Sequence, residues 1–441
     1  MNGKNGKKFY LALIVFALVG QIAWVVENMY FNVFIYKMFH ASASDISLMV
    51  EASAVAATLT TIFIGGLSDR LGKRKLFMCL GYILWGISII AFAFVRLDLI
   101  SSVFGSAANA AAVAVTIVII LDCVMTFFGS SANDAAYNAW LTDMTDSTNR
   151  GRAEGINSMM PLIAILVVFG GFMGFDLDRA ESWTAIYLII GAIVLLIGFL
   201  GFFIVDEAPA RQRGELVYFA TILYGFRPSV IRKHGELYVT LIGFIIFGIS
   251  IQVFMPYLLI YYEKTLGMSD YVLIMAPAIL LAAAATAVYG RLIDRIGAEK
   301  ALLPSLGMLA LGYVLLLVFP GVVGVTGFTM RIPVFIGSLF MMCGYLTGMA
   351  VFGTKIRNET PESMAGRFQG LRIIAQVLVP GVVGPAIGAA VLKNAETVQN
   401  SDGTVSFLPS NAIFLAALVV LIVLGVGYAI FRLRGKKGEK A

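Results

Sequence analysis

The sequence predicts an all-α membrane protein of twelve transmembrane helices in two pseudo-symmetric six-helix bundles. Three observations carry this. The 441-residue chain is 59% hydrophobic and only 13% charged, against about 25% charged in a soluble domain. It contains twelve apolar runs of the roughly 20 residues needed to cross a bilayer. And a charged, glycine-punctuated segment occurs twice: Gly65-Gly66-Leu67-Ser68-Asp69-Arg70-Leu71-Gly72 returns as Gly290-Arg291-Leu292-Ile293-Asp294-Arg295-Ile296-Gly297. Both copies read G-x-L-x-D-R-x-G, and both join two apolar runs, which is the signature of an internal repeat. Repeated halves in a membrane protein point to a transporter whose site lies between them.

The runs fall at about 9–36, 45–66, 75–95, 111–141, 153–175, 182–205, 237–262, 268–290, 300–320, 332–354, 367–391 and 410–432. Alternating sides then sorts the loops. One side receives 26 of the 32 Lys and Arg residues, and the other keeps Lys37, Arg96, Arg179, Lys264, Arg331 and Lys393. The positive-inside rule predicts both termini in the cytoplasm and a location in the cytoplasmic (plasma) membrane. An odd number of spans would scramble the bias. The first run is too long for a signal peptide and reads as a retained span.

The longest polar interruption divides the chain into a six-helix half over 1–205, a linker over 206–236 and a second half over 237–441. The linker mixes Arg211, Arg213, Arg227, Arg232 and Lys233 with Leu216, Tyr218, Phe219 and Leu223. That pattern predicts an amphipathic helix at the membrane surface. The halves match elsewhere too. Tyr10, Leu13, Ile14, Phe16 and Gly20 recur as Tyr238, Leu241, Ile242, Phe244 and Gly248, and Gly151-Arg152-x-x-Gly155 recurs as Gly366-Arg367-x-x-Gly370.

The net charge of +6 is scattered over short loops. It serves topology and anionic lipid rather than nucleic acid. Cys79, Cys123 and Cys343 sit in apolar runs without metal-ligand spacing, and His40 and His234 are far apart. No metal site, cofactor or disulfide framework is expected. Neither H-E-x-x-H nor G-x-S-x-G occurs, which argues against a membrane-embedded enzyme. No G-x-x-x-x-G-K-[ST] loop occurs, so ATP is not the expected energy source.

With its twelve spans, central linker and G-x-L-x-D-R-x-G-Lys73-Arg74 loop, nearly the whole chain resembles the major facilitator superfamily. The resemblance implies the major facilitator fold. It also implies gating roles for Gly65, Asp69, Arg70, Gly72, Arg74 and Arg152, and for Gly290, Asp294, Arg295, Gly297 and Arg367. Asp69 can accept from helix amides and nearby Arg, while Gly65 and Gly72 permit close packing and a sharp turn. The stretch Asp134-Ala135-Ala136-Tyr137-Asn138-Ala139-Trp140-Leu141-Thr142-Asp143-Met144-Thr145 is similar to the D-x-P-Y-N-A-L-x-P-E-L-T pattern of glycoside–pentoside–hexuronide:cation symporters. In that family an acid at the Asp134 position helps bind cation and sugar. Ala136 stands where Pro is usual, and Asp143 where Glu is usual. The acidic pair of span 2 in sodium-coupled members is missing, with Ala57 and Thr61 near those places. Protons are therefore the expected coupling ion and sodium the alternative. Sucrose-type transporters are a second relative, through Trp24, Glu27-Asn28 and Ser68-Asp69-Arg70. Drug:proton antiporters carry an Arg in span 4 and G-P-x-x-G-G in span 5, and both are missing here.

A charge at mid-membrane costs about 2.5–3.5 kcal/mol on insertion scales, so each needs a reason. In span 4, Asp122, Thr126, Ser130, Asn133 and Tyr137 are spaced to share one α-helical face, flanked by Asp134 and Asn138. In span 1, Gln21, Trp24, Asn28, Phe31 and Asn32 share a face with Glu27 at its edge. Carboxylates and amides hold sugar hydroxyls, and Trp24 suits stacking on a pyranose ring. Gln252 occupies the place of Trp24 in the repeat, followed by Tyr257, with Tyr261 and Tyr262 expected in the interfacial aromatic belt. Gln376 in span 11 is a further candidate. The competing reading of these stripes is interhelical hydrogen bonding that only holds the bundle together. The expectation is a secondary transporter, a monomer in the bilayer, that moves a small-molecule substrate by cation symport. That substrate is expected to be a sugar or glycoside, and Asp134, Asp122 or Glu27 carries the proton. An exporter or uniporter of another small organic molecule is the rival.

Overall fold

The computed structural model describes residues 3–104, 107–146, 149–207, 225–322, 328–360, 370–400 and 403–438, with only the backbone at 3–5, 69, 104, 107–108, 320–322, 328–330 and 431–438. It contains twelve helices long and apolar enough to cross a membrane. Spans 1–6 are Gly6–Phe39, Ala43–Ser68, Arg74–Phe92, Asn109–Met144, Arg150–Phe172 and Ala180–Ile204. Spans 7–12 are Gly235–Thr265, Val272–Ile296, Ala298–Phe319, Arg331–Glu359, Gly370–Leu392 and Ala412–Ile430. Large apolar side chains such as Phe63, Ile120, Phe203 and Val423 are exposed, as a lipid-facing surface requires.

The chain divides into two compact units, 1–216 with 399–406, and 217–398 with 407–441. In the first, span 1 packs on spans 5 and 6, span 2 on span 4, and span 3 on spans 4 and 6. In the second, span 7 packs on spans 11 and 12, span 8 on span 10, and span 9 on spans 10 and 12. The same five pairings recur six spans later. Most of the linker, 208–224, lies outside the described residues, so the amphipathic helix expected there is not seen; Pro228–Lys233 forms one short helix.

The repeated G-x-L-x-D-R-x-G segment is not a loop for most of its length. Span 2's helix continues to Leu71, and span 8's to Ile296. Only the last glycines turn: Gly72 has φ 64° and Gly297 φ 84°. These are left-handed positions that glycine adopts without a Cβ clash. Gly65, expected at the turn, is helical instead, and the helix runs on to Leu71, where Gly72 caps it in the left-handed conformation.

Four spans depart from α geometry. Span 1 is π-helical over Val26–Tyr30, and span 4 over Ser130–Tyr137. Span 7 has a 3-10 turn at Met255–Tyr257 and a π stretch at Tyr261–Thr265. Span 11 is π-helical over Ile374–Leu378. Local chemistry explains them. Pro256 and Pro380 lack an N–H and crowd the preceding turn. In spans 1 and 4, polar side chains take carbonyls for themselves: Asn28 Nδ2 donates to the Trp24 carbonyl at 2.8 Å, and Ser131 Oγ to that of Phe127 at 2.6 Å. Such π stretches are frequent at functional sites.

Candidate functional site

Among the described residues, the most buried charged side chains belong to the first unit: Glu27, Arg74 and Asp122, with Lys37 and Asp143 alongside them. The buried polar groups of the second unit are hydroxyls, including Thr240, Ser250, Ser305, Ser338 and Thr347.

The single stripe expected on span 4 splits. Periodicity arguments assume α geometry, and the π stretch widens the turn within Ser130–Tyr137, re-aiming the side chains beyond it. Ser130 Oγ now donates to Asp134 Oδ2 at 2.9 Å, and Asn138 Nδ2 to the Asp134 carbonyl at 3.1 Å. Asp134 is half-buried and Asn138 exposed. Asn133 turns into the bundle instead. Its Nδ2 donates to the Tyr82 hydroxyl at 2.8 Å, and its Oδ1 accepts from Trp24 Nε1 at 3.3 Å. Tyr82 in turn donates to the Phe16 carbonyl at 2.6 Å. Gly20 allows this crossing, since a Cβ there would lie 2.3 Å from Asn133 Nδ2. Tyr137 is buried and donates to Asn157 Oδ1 at 2.8 Å.

At the other end of the stripe Thr126 meets Glu27 of span 1, and Asp122, one turn before it, is buried. Ser53 Oγ and Thr126 Oγ1 lie 2.8 and 2.9 Å from Glu27 Oε1, and 2.9 Å from each other. Trp24 is half-buried, with its ring 5.0 Å from that of Trp85. Gln21 is half-buried and Asn28 exposed. The first unit thus holds a half-buried carboxyl, amides, an indole and two buried carboxyls. Hydroxyl-rich solutes and protons are the ligands such groups recognise.

In the second unit Gln252 is half-buried and Gln376 exposed. Tyr257 is fully buried, its hydroxyl 3.4 Å from the Pro385 carbonyl. Tyr261 and Tyr262 are not in an interfacial belt. Both are buried, and Tyr262 shares a 2.7 Å hydrogen bond with Ser338 of span 10. The Tyr261 hydroxyl, in contrast, is buried without a hydrogen-bond partner.

The first G-x-L-x-D-R-x-G segment is tied to the end of span 4. Arg74 Nε lies 3.2 Å from Asp143 Oδ2, both nearly buried, and Arg74 Nη1 donates to Ser68 Oγ at 2.6 Å. Asp143, the residue found where Glu is usual, is thus the carboxylate that holds this loop. Arg70 is exposed. The Arg152 guanidinium stands 4.8 Å above the Tyr10 ring, joining spans 5 and 1. In the second copy Gly290 is helical, and Asp294 and Arg295 are exposed. Arg367 and the Asp69 side chain lie outside the described residues. Sequence reasoning missed Ser53, Tyr82 and Asn157, which no local pattern marks.

Twelve apolar spans in two repeat-related units, with carboxyls, amides and hydroxyls buried inside, define a membrane-embedded solute transporter. The chain belongs to the Major Facilitator Superfamily, which it matches over residues 10–385. It is an integral membrane transporter and not an enzyme. It is similar in fold to a mutant of the nucleoside transporter NupG, at TM-score 0.70 and 12% identity over 95% of this chain and 98% of that one. A bacterial homolog of the human lysosomal transporter Spinster gives 0.67 and 14% over 97% of each chain. The xylose transporter XylE from E. coli gives 0.65 and 15% over 95% and 96%. No curated protein matches the chain.

Proposed function

We propose that the protein is a secondary active transporter that moves a small polar solute, a sugar or glycoside, by proton symport with alternating access. It works in the cytoplasmic membrane with both termini in the cytoplasm, an orientation supported by the Lys and Arg bias of the loops. The observation that carries the reading is the paired chemistry of spans 1 and 4. Asp134, a half-buried carboxyl, follows Asn133, whose amide meets the Trp24 indole, while two further carboxyls are buried in the same unit without a basic partner among the described residues. Sugar hydroxyls need donors and acceptors together, and the indole face suits the apolar side of a pyranose. Two similar folds are described as a xylose transporter and a D-xylose-proton symporter, a supporting likeness at 15% identity.

Thermal unfolding of the purified protein against a panel of sugars, at several pH values and sodium concentrations, tests the substrate. A ligand at about 100 times its Kd adds about 2.7 kcal/mol of stability. Stabilisation by a sugar that strengthens as pH falls, with no sodium effect, is the expected result. Stabilisation by nucleosides or amphipathic compounds alone would overturn the sugar reading. Asp134→Asn should abolish uphill uptake in proteoliposomes while sparing exchange across equal gradients. Accumulation that persists would remove Asp134 from coupling.

A further inference from the structure

The chain between spans 11 and 12 changes compact unit twice. Residues 399–406 group with the first unit, and those on either side with the second. The segment is a hairpin of two short strands, Thr397–Gln399 and Val405–Phe407. Gly403, at φ 82°, helps turn it. Its base is fixed within the second unit. The Leu408 N–H donates to the Glu396 carbonyl at 2.7 Å, and Thr265 Oγ1 to the Pro409 carbonyl at 2.6 Å.

Its far end is fixed within the first unit, on His40. This residue ends span 1 in the left-handed conformation at φ 53°, the one positive φ outside glycine among the described residues. Asn400 Nδ2 donates to Ser406 Oγ at 2.8 Å and to Thr404 Oγ1 at 3.0 Å, and lies 3.2 Å from His40 Nδ1. Ser406 Oγ lies 3.2 Å from the same Nδ1. Ser406 is 4% exposed and its neighbour Val405 56%. The strand thus buries its hydroxyl and exposes its valine, the reverse of what apolar burial selects. Hydrogen bonding, rather than hydrophobic contact, seats it.

An amide N–H only donates, so His40 Nδ1 is the acceptor and carries no proton while Asn400 faces it. A protonated imidazole has a donor on both nitrogens. The bond from Asn400 is then lost, and two donors confront each other. The charged groups on the elements around His40 are few. Lys37, earlier in span 1, pairs with Asp178 of the loop before span 6 at 3.2 Å. Asp45 of span 2 accepts from the Ser42 N–H at 2.8 Å. Lys393 and Glu396 precede the hairpin, and Asp402 lies outside the described residues.

We propose that the 399–406 hairpin is an acid-released strap, fastened to the neutral imidazole of His40 and let go when that ring takes a proton. The proposal rests on the alternating-access reading above. In such a cycle one repeat moves against the other, and a segment carried by the second half of the chain yet seated in the first unit has to loosen. His40 follows span 1 on the side opposite the termini, which the proposed orientation puts outside the cell. Imidazole titrates between about pH 5 and 8, so an acidic exterior would unfasten the strap.

Hydrogen–deuterium exchange of the full chain in liposomes, read by mass spectrometry with no solute present, tests this. Protection is corrected for the intrinsic pH dependence of exchange and compared at about pH 8 and about pH 5. In wild type, peptides over 36–46 and 396–408 should lose protection about tenfold at the lower pH, roughly the worth of one net hydrogen bond. A peptide around Tyr82 should keep its protection. His40→Asn, which tolerates the positive φ and does not titrate, should remove the pH dependence. Asn400→Ala should lower protection of both peptides at both pH values, and Ser406→Ala takes its place if that variant does not fold. Protection in wild type that ignores pH would overturn the proposal. So would a pH dependence that persists in His40→Asn, which would assign it to another group. Unchanged protection in both alanine variants would show that the strap is not held at His40. Because no solute is used, a protein that binds no sugar still tests the strap, and a strap indifferent to acid leaves the sugar reading standing.

Discussion

Tyr82→Phe is the sharpest test of how the first unit is held together. The substitution removes one hydroxyl from a side chain with no exposed surface and leaves its ring contacts to Phe16 and Trp85 in place. That hydroxyl donates to the Phe16 carbonyl and accepts from Asn133 Nδ2. The Phe16 carbonyl belongs to a helix and keeps its own N–H partner. The stranded group is therefore the Asn133 amide, and an unsatisfied buried donor costs about 1–3 kcal/mol. Measured side-chain hydrogen bonds between membrane helices average about 0.6 and reach about 1.7 kcal/mol, because the unfolded helices find other partners. We expect Tyr82→Phe to cost about 1.5 kcal/mol, between those scales. Equilibrium unfolding in mixed micelles measures it, and a double-mutant cycle with Asn133→Ala isolates the pair. The double variant should cost less than the sum of the singles by about 0.6–1.7 kcal/mol. Additivity within about 0.3 kcal/mol would show that the two side chains are not bonded.

Asp143→Ala should destabilise the protein by up to about 3–5 kcal/mol, since it removes the carboxylate facing a buried guanidinium. Joint replacement of Arg74 and Asp143 by Met and Leu should cost far less on the same assay. Gly20→Val should cost about 1–3 kcal/mol by overpacking the crossing of spans 1 and 4, read as a lowered thermal midpoint. Gly72→Val places a β-branched residue at φ 64°, and about 1–3 kcal/mol of backbone strain should appear in the same measurement. Arg152→Gln removes the cation over Tyr10 and should cost only about 0.5–1 kcal/mol.

The spans were legible in the sequence because the bilayer leaves little choice. A helix must satisfy its own backbone over a fixed thickness, and that writes itself as apolar length. The repeat was legible too, and so was the burial of Glu27 and Asp122 inside the bundle, since charge in oil has to be accounted for. Geometry beyond the α-helix was not legible. The stripe from Asp122 to Tyr137 assumed one turn size throughout, and the π stretch broke that assumption. Partners across helices were also hidden. Nothing local to Ser53 says that it faces Glu27, and Arg74 and Asp143 stood in two separate motifs with no sign that one grips the other. Tyr261 and Tyr262 looked interfacial by position, yet the irregular end of span 7 turns them inward.

The widened turn in span 4 gives the protein a register mark. Each residue of an α-helix advances the azimuth by about 100°. Were the same eight residues, Ser130 to Tyr137, to wind regularly without losing one, the last two turns of the span would swivel by roughly that amount. Asp143 would then swing off Arg74, and Trp140 would lose its bond to the Asp206 carbonyl. One surplus residue thus sets the bearing of everything downstream, much as a shim sets a shaft. Insertions and deletions in this octapeptide should be far less tolerated than substitutions.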